Sequence, residues 1–579
     1  MPVPTESTTF TKDVLGRYLC NTLGEAQASG PFNVIVLGAG AFGPALAVHL
    51  FNIDAAKRHR ILVLDGGKFV LPEHIQNLPP MLAGTGGIGV PSSTTIEALR
   101  QAGQDRAPRD EVWGLPWFTN DPNGFPGLAY CVGGRSVFWG GWSPRPVATE
   151  LTQWPADVVA DLTATQWPAT QQLIGSDTDN DFVFGPLHQA MKNRLLAGLQ
   201  ANQVPDALPA GAADIEAPLA VQSASPRAGY FPPNKFSSLP GLMRAARRAA
   251  QESGGNDANK RLMVVTDCHV SGLTLAGNRV SVVQTNQGNI QVPANGVVVT
   301  ALGTVESTRL ALNSFPNAQG LIGKNLMAHL RTNLTIRLPR AGFPGVPPDA
   351  QTSALFVKGR HTQGQPADAG HFHVQITASG VTGAQADNSE IELFQKIPDI
   401  DFLQAHAMAN DNFVIVTLRG IGEMVGDKQS VAVRGITPHP ELDFGTPRAF
   451  VRIGTTQAEN GVNGLWNAMD QALLQLAQVL AGGGQVEYEV PPNSQQFQAN
   501  PPASLQAMRD VLGSTHHESG TLWMGTDPAT SVTDGFGAFH EVANAYVAGP
   551  ALFPQMGSPN PMLTGVALAR RTAERINAL

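Results

Sequence analysis

An α/β architecture is predicted, with a parallel-stranded domain assembled from separated stretches of chain and an antiparallel sheet set among them. Three observations carry this. First, the strand-forming run Val34-Ile35-Val36-Leu37 leads directly into Gly38-Ala39-Gly40-Ala41-Phe42-Gly43, a G-x-G-x-x-G turn, and a second apolar run, Ile61 to Leu64, ends on Asp65. Second, the apolar run Val297-Val298-Val299-Thr300, bounded by Gly296 and Gly303 and followed by a helical pattern over 305–312, returns to the same βα grammar. Third, 371–377 and 413–418 alternate apolar and polar residues, the period of antiparallel strands.

The first element has a mechanism. A strand, a glycine-rich turn, a helix and a second strand ending on an acid form a dinucleotide-binding βαβ unit. Gly38 permits the tight turn, Gly40 lets the backbone approach a pyrophosphate, and Gly43 lets helix and strand pack. The helix N-terminus supplies partial positive charge for phosphates, and Asp65 is placed to accept hydrogen bonds from a ribose diol. Gly38, Gly40, Phe42, Gly43 and Asp65 are therefore candidate dinucleotide contacts. The motif alone leaves FAD and NAD both open.

The remaining elements follow in order. A short amphipathic helix is expected over about 8–24. The tract 66–130 is rich in glycine and proline, including Gly84-Thr85-Gly86-Gly87, and reads as a covering loop over a ligand. Residues 151–227 carry Trp154 and Trp167 with few strand signals. A helix capped by Ser237 or Ser238 is expected over 236–251, a buried strand over 262–266, and a small meander from 270–275 and 280–285. In 463–480, Leu465, Met469, Leu473, Leu476 and Leu480 recur at helical steps and Gly482 to Gly484 ends the run, so that stripe is core. Residues 491–502 have the composition of a linker.

Composition excludes several classes. At 579 residues the chain needs more than one hydrophobic core. A net charge of −8 and the lack of a basic stripe argue against nucleic acid. Cys20, Cys131 and Cys268 are too few and too scattered for a disulfide framework or a structural zinc site, which points to a reducing, cytoplasmic compartment. The N-terminus shows no signal-peptide pattern. The apolar stretch 34–50 is broken by glycines and Pro44, so it reads as strand plus packed helix and not as a membrane span.

Three further segments narrow the class. They are Gly133-Gly134-Arg135-Ser136-Val137-Phe138-Trp139, Gly323-Lys324-Asn325-Leu326-Met327-Ala328-His329, and a C-terminal block. The block runs from His516-His517-Glu518-Ser519-Gly520 through Val547-Ala548-Gly549-Pro550 to Asn560-Pro561-Met562. Together with the N-terminal motif they resemble the glucose–methanol–choline (GMC) family of FAD-dependent alcohol oxidoreductases, with the pyranose-oxidase-like branch nearest. The resemblance implies a Rossmann-like FAD-binding domain from 1–150, 228–340 and 510–579. It places an inserted α+β substrate domain, built on an antiparallel sheet, at 151–227 and 341–509. It adds Gly133, Gly134, Ser136, Val270, Gly549, Pro561 and Met562 to the candidate FAD contacts.

Alcohol oxidation removes a hydroxyl proton and a hydride. A histidine suits the proton, with an unperturbed pKa of about 6.5. In the family the base sits in H-x-x-G and its partner opens N-P, which selects His517, three before Gly520, and Asn560. An amide cannot take a proton at neutral pH, so Asn560 orients the substrate oxygen. His516 is expected to be structural or a wall of the pocket. Asn560 could also be a plain helix N-cap. His371 and His373 share a strand face and, without a third ligand, read as sheet histidines or as cavity lining; no metal is expected. Pyranose oxidases tether flavin to a histidine where this chain has Phe138, so the FAD is expected to be non-covalent. Many members carry an acidic residue and Ala where this chain has Gly549-Pro550, so the contact usually made there to the flavin side chain is expected to be backbone or absent. The expected substrate is a small alcohol or carbohydrate, a sugar or glycoside hydroxyl in particular, with oxygen or a quinone-type electron acceptor. The same fold also hosts lyases and light-driven decarboxylases, an alternative the sequence leaves open, as it does the oligomeric state.

Overall fold

The computed structural model describes residues 19–77, 113–121, 127–176, 182–222, 234–347, 351–380, 393–398 and 402–579. The glycine run at 84–87 lies outside the described residues, as does most of the helix expected over 8–24. Within them a helix runs over α1 (Leu23–Ser29), where Thr22 and Glu25 form a reciprocal cap.

The nucleotide-type unit then builds as its residues dictate. β1 (Val34–Leu37) leads into α2 (Phe42–Ile53) and β2 (Ile61–Leu64). After a long excursion come α3 (Leu239–Glu252) and β3 (Leu262–Val265). The meander is β4 (Val270–Ala276), β5 (Arg279–Thr285) and β6 (Gly288–Gln291), followed by β7 (Val297–Thr300) and α4 (Gly303–Ser314). Ser238 precedes α3, but its side chain makes no cap; its hydroxyl donates instead to the Ala41 carbonyl at 2.6 Å, tying α3 to the start of α2.

The second half begins with β8 (His329–Pro339), β9 (Gln351–Arg360), β10 (His371–Gly380) and β11 (Phe413–Glu423). A hairpin of β12 (Gly435–Asp443) and β13 (Thr446–Arg452) precedes α5 (Leu465–Ala481), which ends on Gly482 in the left-handed region at φ +61°. Then come β14 (Glu487–Glu489), β15 (Phe497–Gln498), β16 (Ala545–Val547) and α6 (Met562–Asn577). The stretch read as a linker, 491–502, therefore contributes β15, whose Phe497 pairs with Glu489.

Two sheets organise the molecule. The parallel sheet has the order β16-β7-β1-β2-β3, with the first four residues of β1 and β2 all buried. That full burial explains the unbroken Val/Ile/Leu runs. The antiparallel sheet has the order β9-β10-β11-β8-β14-β15. β8 is one of its inner strands although it lies within 228–340, so the crossover between the sheets falls before His329. One face of this sheet packs on α5: a Cβ at Gly420 would sit 2.8 Å from Met469 and 2.9 Å from Leu473. The other face carries Arg419 and Ile421, in register with Gln375 and His373 of β10. Every residue of β10 is buried, because its polar face looks into the protein and not into solvent.

The tightest approach in the nucleotide unit is at Gly43, where a Cβ would fall 1.9 Å from the Gly38 carbonyl oxygen. A Cβ at Gly40 would meet nothing within 4 Å. Gly43→Ala is thus expected to destabilise the fold by ~1–3 kcal/mol or more through overpacking. Gly40→Ala should change stability by no more than about 0.5 kcal/mol. Denaturant unfolding of the two variants checks the contrast.

Candidate active site

A cavity of about 1040 Å³ opens at the carboxyl ends of β1, β2 and β7, where Gly38, Leu64, Asp65 and Ala301 line it. This is where open parallel sheets bind ligands, and the volume is at the top of the range for small-molecule sites, roughly 300–1,000 Å³. The cavity continues past Gly134, Phe138 and Trp139 to His517 and Asn560.

A dinucleotide fits the first end. Gly38 has φ +100°, and a Cβ there would lie 2.5 Å from the Ala301 carbonyl oxygen, so the turn requires glycine. The open space beside Gly40 is room that any larger residue would fill. Gly134, at φ +50°, brings its own turn against this one: a Cβ would meet Gly40 Cα at 2.8 Å. Asp65 accepts the Ala39 N–H at 2.7 Å and the Gly67 N–H at 2.8 Å, one on each oxygen. Burial pushes its pKa up to about 6 against the pull of those two donors.

Gly38, Gly40, Phe42, Asp65, Gly134, Val270, Pro561 and Met562 line the cavity. Gly43, Gly133, Ser136 and Gly549 stand behind its wall. Gly133 has φ +95° and donates to the Ala39 carbonyl at 2.7 Å. The Ser136 hydroxyl donates to the Gly133 carbonyl at 2.6 Å and accepts the Ser238 N–H at 3.2 Å. A Cβ at Gly549 would meet the Phe42 ring at 2.7 Å. These four shape the turns on which the lining residues sit.

The other end is polar. Asn560 Nδ2 lies 3.3 Å from His517 Nε2, and Gln375 donates to Asn560 Oδ1 at 3.1 Å. His517 Nδ1 lies 2.8 Å from His329 Nδ1, and His329 Nε2 lies 3.0 Å from the Gly557 carbonyl oxygen. The N-cap of α6 is Pro561, so the Asn560 side chain is turned to His517 instead of capping the helix. The H-x-x-G loop is stitched to the segment before β8 by paired bonds between Met327 and Ser519, both 3.0 Å. Gly520, at φ +90°, comes so close that a Cβ would lie 2.4 Å from the Asn325 carbonyl oxygen, which is why the motif needs glycine there. His516 holds a left-handed backbone at φ +56° and lines the cavity.

Arg135 joins the two ends. It donates to both Glu518 carboxylate oxygens, at 2.7 and 3.0 Å, and to the His516 carbonyl at 3.2 Å. Phe138 packs against Trp113 with ring centroids 5.3 Å apart. His371 bonds Thr149 at 2.8 Å and sits 3.3 Å from Glu423, while His373 Nε2 lies 3.0 Å from Gln375. Among the described residues no group of three or more His, Cys, Asp or Glu could hold a metal. Arg135, Glu518, His329 and Gln375 were not singled out from the sequence. Only the fixed order of the motifs that carry the first three could have drawn attention to them.

Burial holds His329, His373 and His517 toward the neutral form. It lowers His329 to about 4 and carries His517 and His373 well below their ordinary value, with the charges of neighbouring histidines adding to the effect.

Residues 446–569 match the family model described as GMC oxidoreductase, a C-terminal domain. That stretch is therefore similar to the C-terminal domain of the GMC oxidoreductases. A 60-residue stretch is 45% identical to paromamine 6'-oxidase from Streptomyces fradiae; it spans 10% of this chain and 11% of that relative. The fold matches that of pyridoxine 4-oxidase from Mesorbium loti with a TM-score of 0.56 at 18% identity, over 94% of this chain and 99% of that one. Among the described residues no helix is long and apolar enough to cross a membrane.

Buried neutral histidines make an acid-labile fold. His74 and His406 are lowered to about 3 and His329 to about 4, from 6.5 when exposed. Below pH 6.5 the unfolded chain binds protons that these histidines refuse in the fold, so their contribution to stability is full above that pH and falls as pH drops toward 4, opposed in part by Asp65 and Asp470, whose raised pKa values have the opposite sign. Each histidine contributes up to about 1.4 kcal/mol per pH unit. Denaturant midpoints at pH 7, 6 and 5 are expected to fall in that order.

Proposed function

We propose that this protein is an FAD-dependent oxidoreductase that converts an alcohol, in particular a sugar or glycoside hydroxyl, to a carbonyl. One observation carries the reading: His517 and Asn560 meet, 3.3 Å apart, in the wall of the same cavity whose far end is the G-x-G-x-x-G turn. The GMC match of the C-terminal part supports it.

Gly38, Gly40, Phe42, Asp65, Gly134, Val270, Pro561 and Met562 would hold the FAD, with Gly43, Gly133, Ser136 and Gly549 shaping the turns behind them. When bound, the flavin supplies the two-electron chemistry that accepts the substrate's hydride. The protein's part is the proton and the geometry. His517, neutral and half-buried in the cavity wall, offers Nε2 to the substrate hydroxyl and takes its proton as the C–H bond breaks. Asn560 keeps its oxygen on Gln375 and turns its N–H₂ group toward the reacting oxygen, where it stabilises developing negative charge. The wall beyond carries Gln404, Arg419, Asp510, Ser514 and Thr515. Such a mixture of donors and acceptors suits a ligand with several hydroxyl groups. Phe138 provides no atom for a covalent tether, which supports a non-covalent flavin. The electron acceptor is of the oxygen or quinone class.

Anaerobic titration with D-glucose, methyl glucosides and simple primary and secondary alcohols is expected to bleach the flavin, and oxygen or a quinone to restore it. A chain that no alcohol in this series bleaches would overturn the reading. His517→Ala is expected to lower turnover by roughly 10²–10⁴-fold, measured with the best alcohol of the series. Acid precipitation should leave yellow flavin in the supernatant; flavin retained in the pellet would refute the non-covalent assignment.

A further inference from the structure

His517 is useful as a base only if its cavity-facing nitrogen carries a lone pair, and a neutral imidazole carries its single proton on either nitrogen. The surroundings of His329 decide which. His329 opens β8, only 1% exposed, with Nε2 3.0 Å from the Gly557 carbonyl oxygen. A carbonyl oxygen only accepts, so this nitrogen carries the proton. A buried, singly protonated His329 then presents a bare Nδ1 to His517 Nδ1 at 2.8 Å. That contact is a hydrogen bond only if His517 Nδ1 is the donor, which leaves His517 Nε2 bare. The far side agrees, since Asn560, whose oxygen is taken by Gln375, has only N–H to offer Nε2. The opposite tautomer sets two lone pairs face to face at His329, or a lone pair against a carbonyl if His329 follows.

The anchor itself is fixed. Gly557, at φ +63°, lies against Glu150, where a Cβ would meet the Glu150 side chain at 2.8 Å. Glu150 Oε1 accepts both the backbone N–H and the hydroxyl of Ser558, at 2.8 and 2.7 Å, and its Oε2 accepts the Val147 N–H at 2.7 Å. One short loop, 557–560, thus carries the carbonyl that orients His329 and the carboxamide that faces His517.

We propose that His329 is a positioning residue that locks the tautomer of His517, with the Gly557 carbonyl as its reference point, so that Nε2 of His517 faces the substrate as a bare acceptor. This rests on the reading of His517 as the base. It also fits the protonated state: once Nε2 has taken the substrate proton, His517 Nδ1 still donates to His329, so the imidazolium keeps its partner. Asn560, in contrast, must release Nε2 as the proton arrives, which frees its N–H for the substrate oxygen.

The test has two arms. In the holoenzyme labelled with ¹⁵N-histidine, with His517→Ala used for assignment, His517 is expected to show a protonated Nδ1 and an unprotonated Nε2 at pH 7.5. The reverse pattern in the wild type overturns the proposal without reference to any variant. In the second arm, His329→Leu removes the acceptor, whereas His329→Gln supplies an oxygen for His517 and an N–H for Gly557. With the fastest alcohol of the anaerobic series, His329→Leu is expected to lose about 10- to 100-fold in kcat with KM and flavin content unchanged, and His329→Gln to recover most of the loss. Equal losses in the two variants, or a normal kcat in His329→Leu, overturn the role of His329. A normal kcat in His517→Ala would instead remove the underlying reading of the base.

Discussion

The site depends on the ion pair between Arg135 and Glu518. Arg135 belongs to the turn that closes on Gly40, and Glu518 follows the histidine pair, so the cavity wall beside the G-x-G-x-x-G turn and the loop that carries His517 are held by one two-pronged contact. Removing one partner of a fully buried pair costs about 3–5 kcal/mol. Here the cost is smaller, because Arg135 is 21% exposed, but the geometric role is independent of that sum. The planar guanidinium fixes angle as well as distance, and its third bond, to the His516 carbonyl, reaches the residue whose left-handed backbone aims His517.

The two sheets divide the work according to what each face can offer. A parallel sheet buried on both sides has no polar side chains to spare, so its contribution is made at its strand ends by backbone and by Asp65. The antiparallel sheet spends one face on α5 and presents the other, with Gln375, Arg331 and Arg419, to the cavity. A hydrogen-bonded chain from Gln375 through Asn560 and His517 to His329 then runs along the seam between the sheets. In a partly buried wall such a chain is worth having only if every member is satisfied, and the direction of each bond in it is fixed by the Gly557 carbonyl at its end.

What the sequence made legible was local. The βαβ unit is written in contiguous residues, because turn, helix start and strand each have their own steric signature. His517 and Asn560 could be picked out because Gly520 and Pro561 complete the H-x-x-G and N-P motifs by which the chain resembles the GMC family. What escaped was long-range. Nothing near Arg135 in the chain announces Glu518, and nothing near His329 announces that its ring meets His517. Gln375 sits on a strand whose alternation shows its antiparallel type, and cavity lining was an open reading for its histidines; the residue of that face that reaches the cavity is Gln375. Residues 491–502 have linker composition and nevertheless add a strand, since an edge position asks little of a sequence beyond two residues able to pair. Ser238 has the residue type of a helix cap and spends its hydroxyl on Ala41.

One edge strand of the parallel sheet is β16, whose Ala545 pairs with Val298 of β7. While the chain is being made, β7 is complete long before its neighbour leaves the ribosome. Its outer backbone donors and acceptors wait for their native partner until the chain has been extended past Val547, and open strand edges are templates for wrong pairing. The sheet reaches its full width only with the same C-terminal segment that carries His517 and Asn560, so the nucleotide-type unit and the histidine–asparagine pair are completed together.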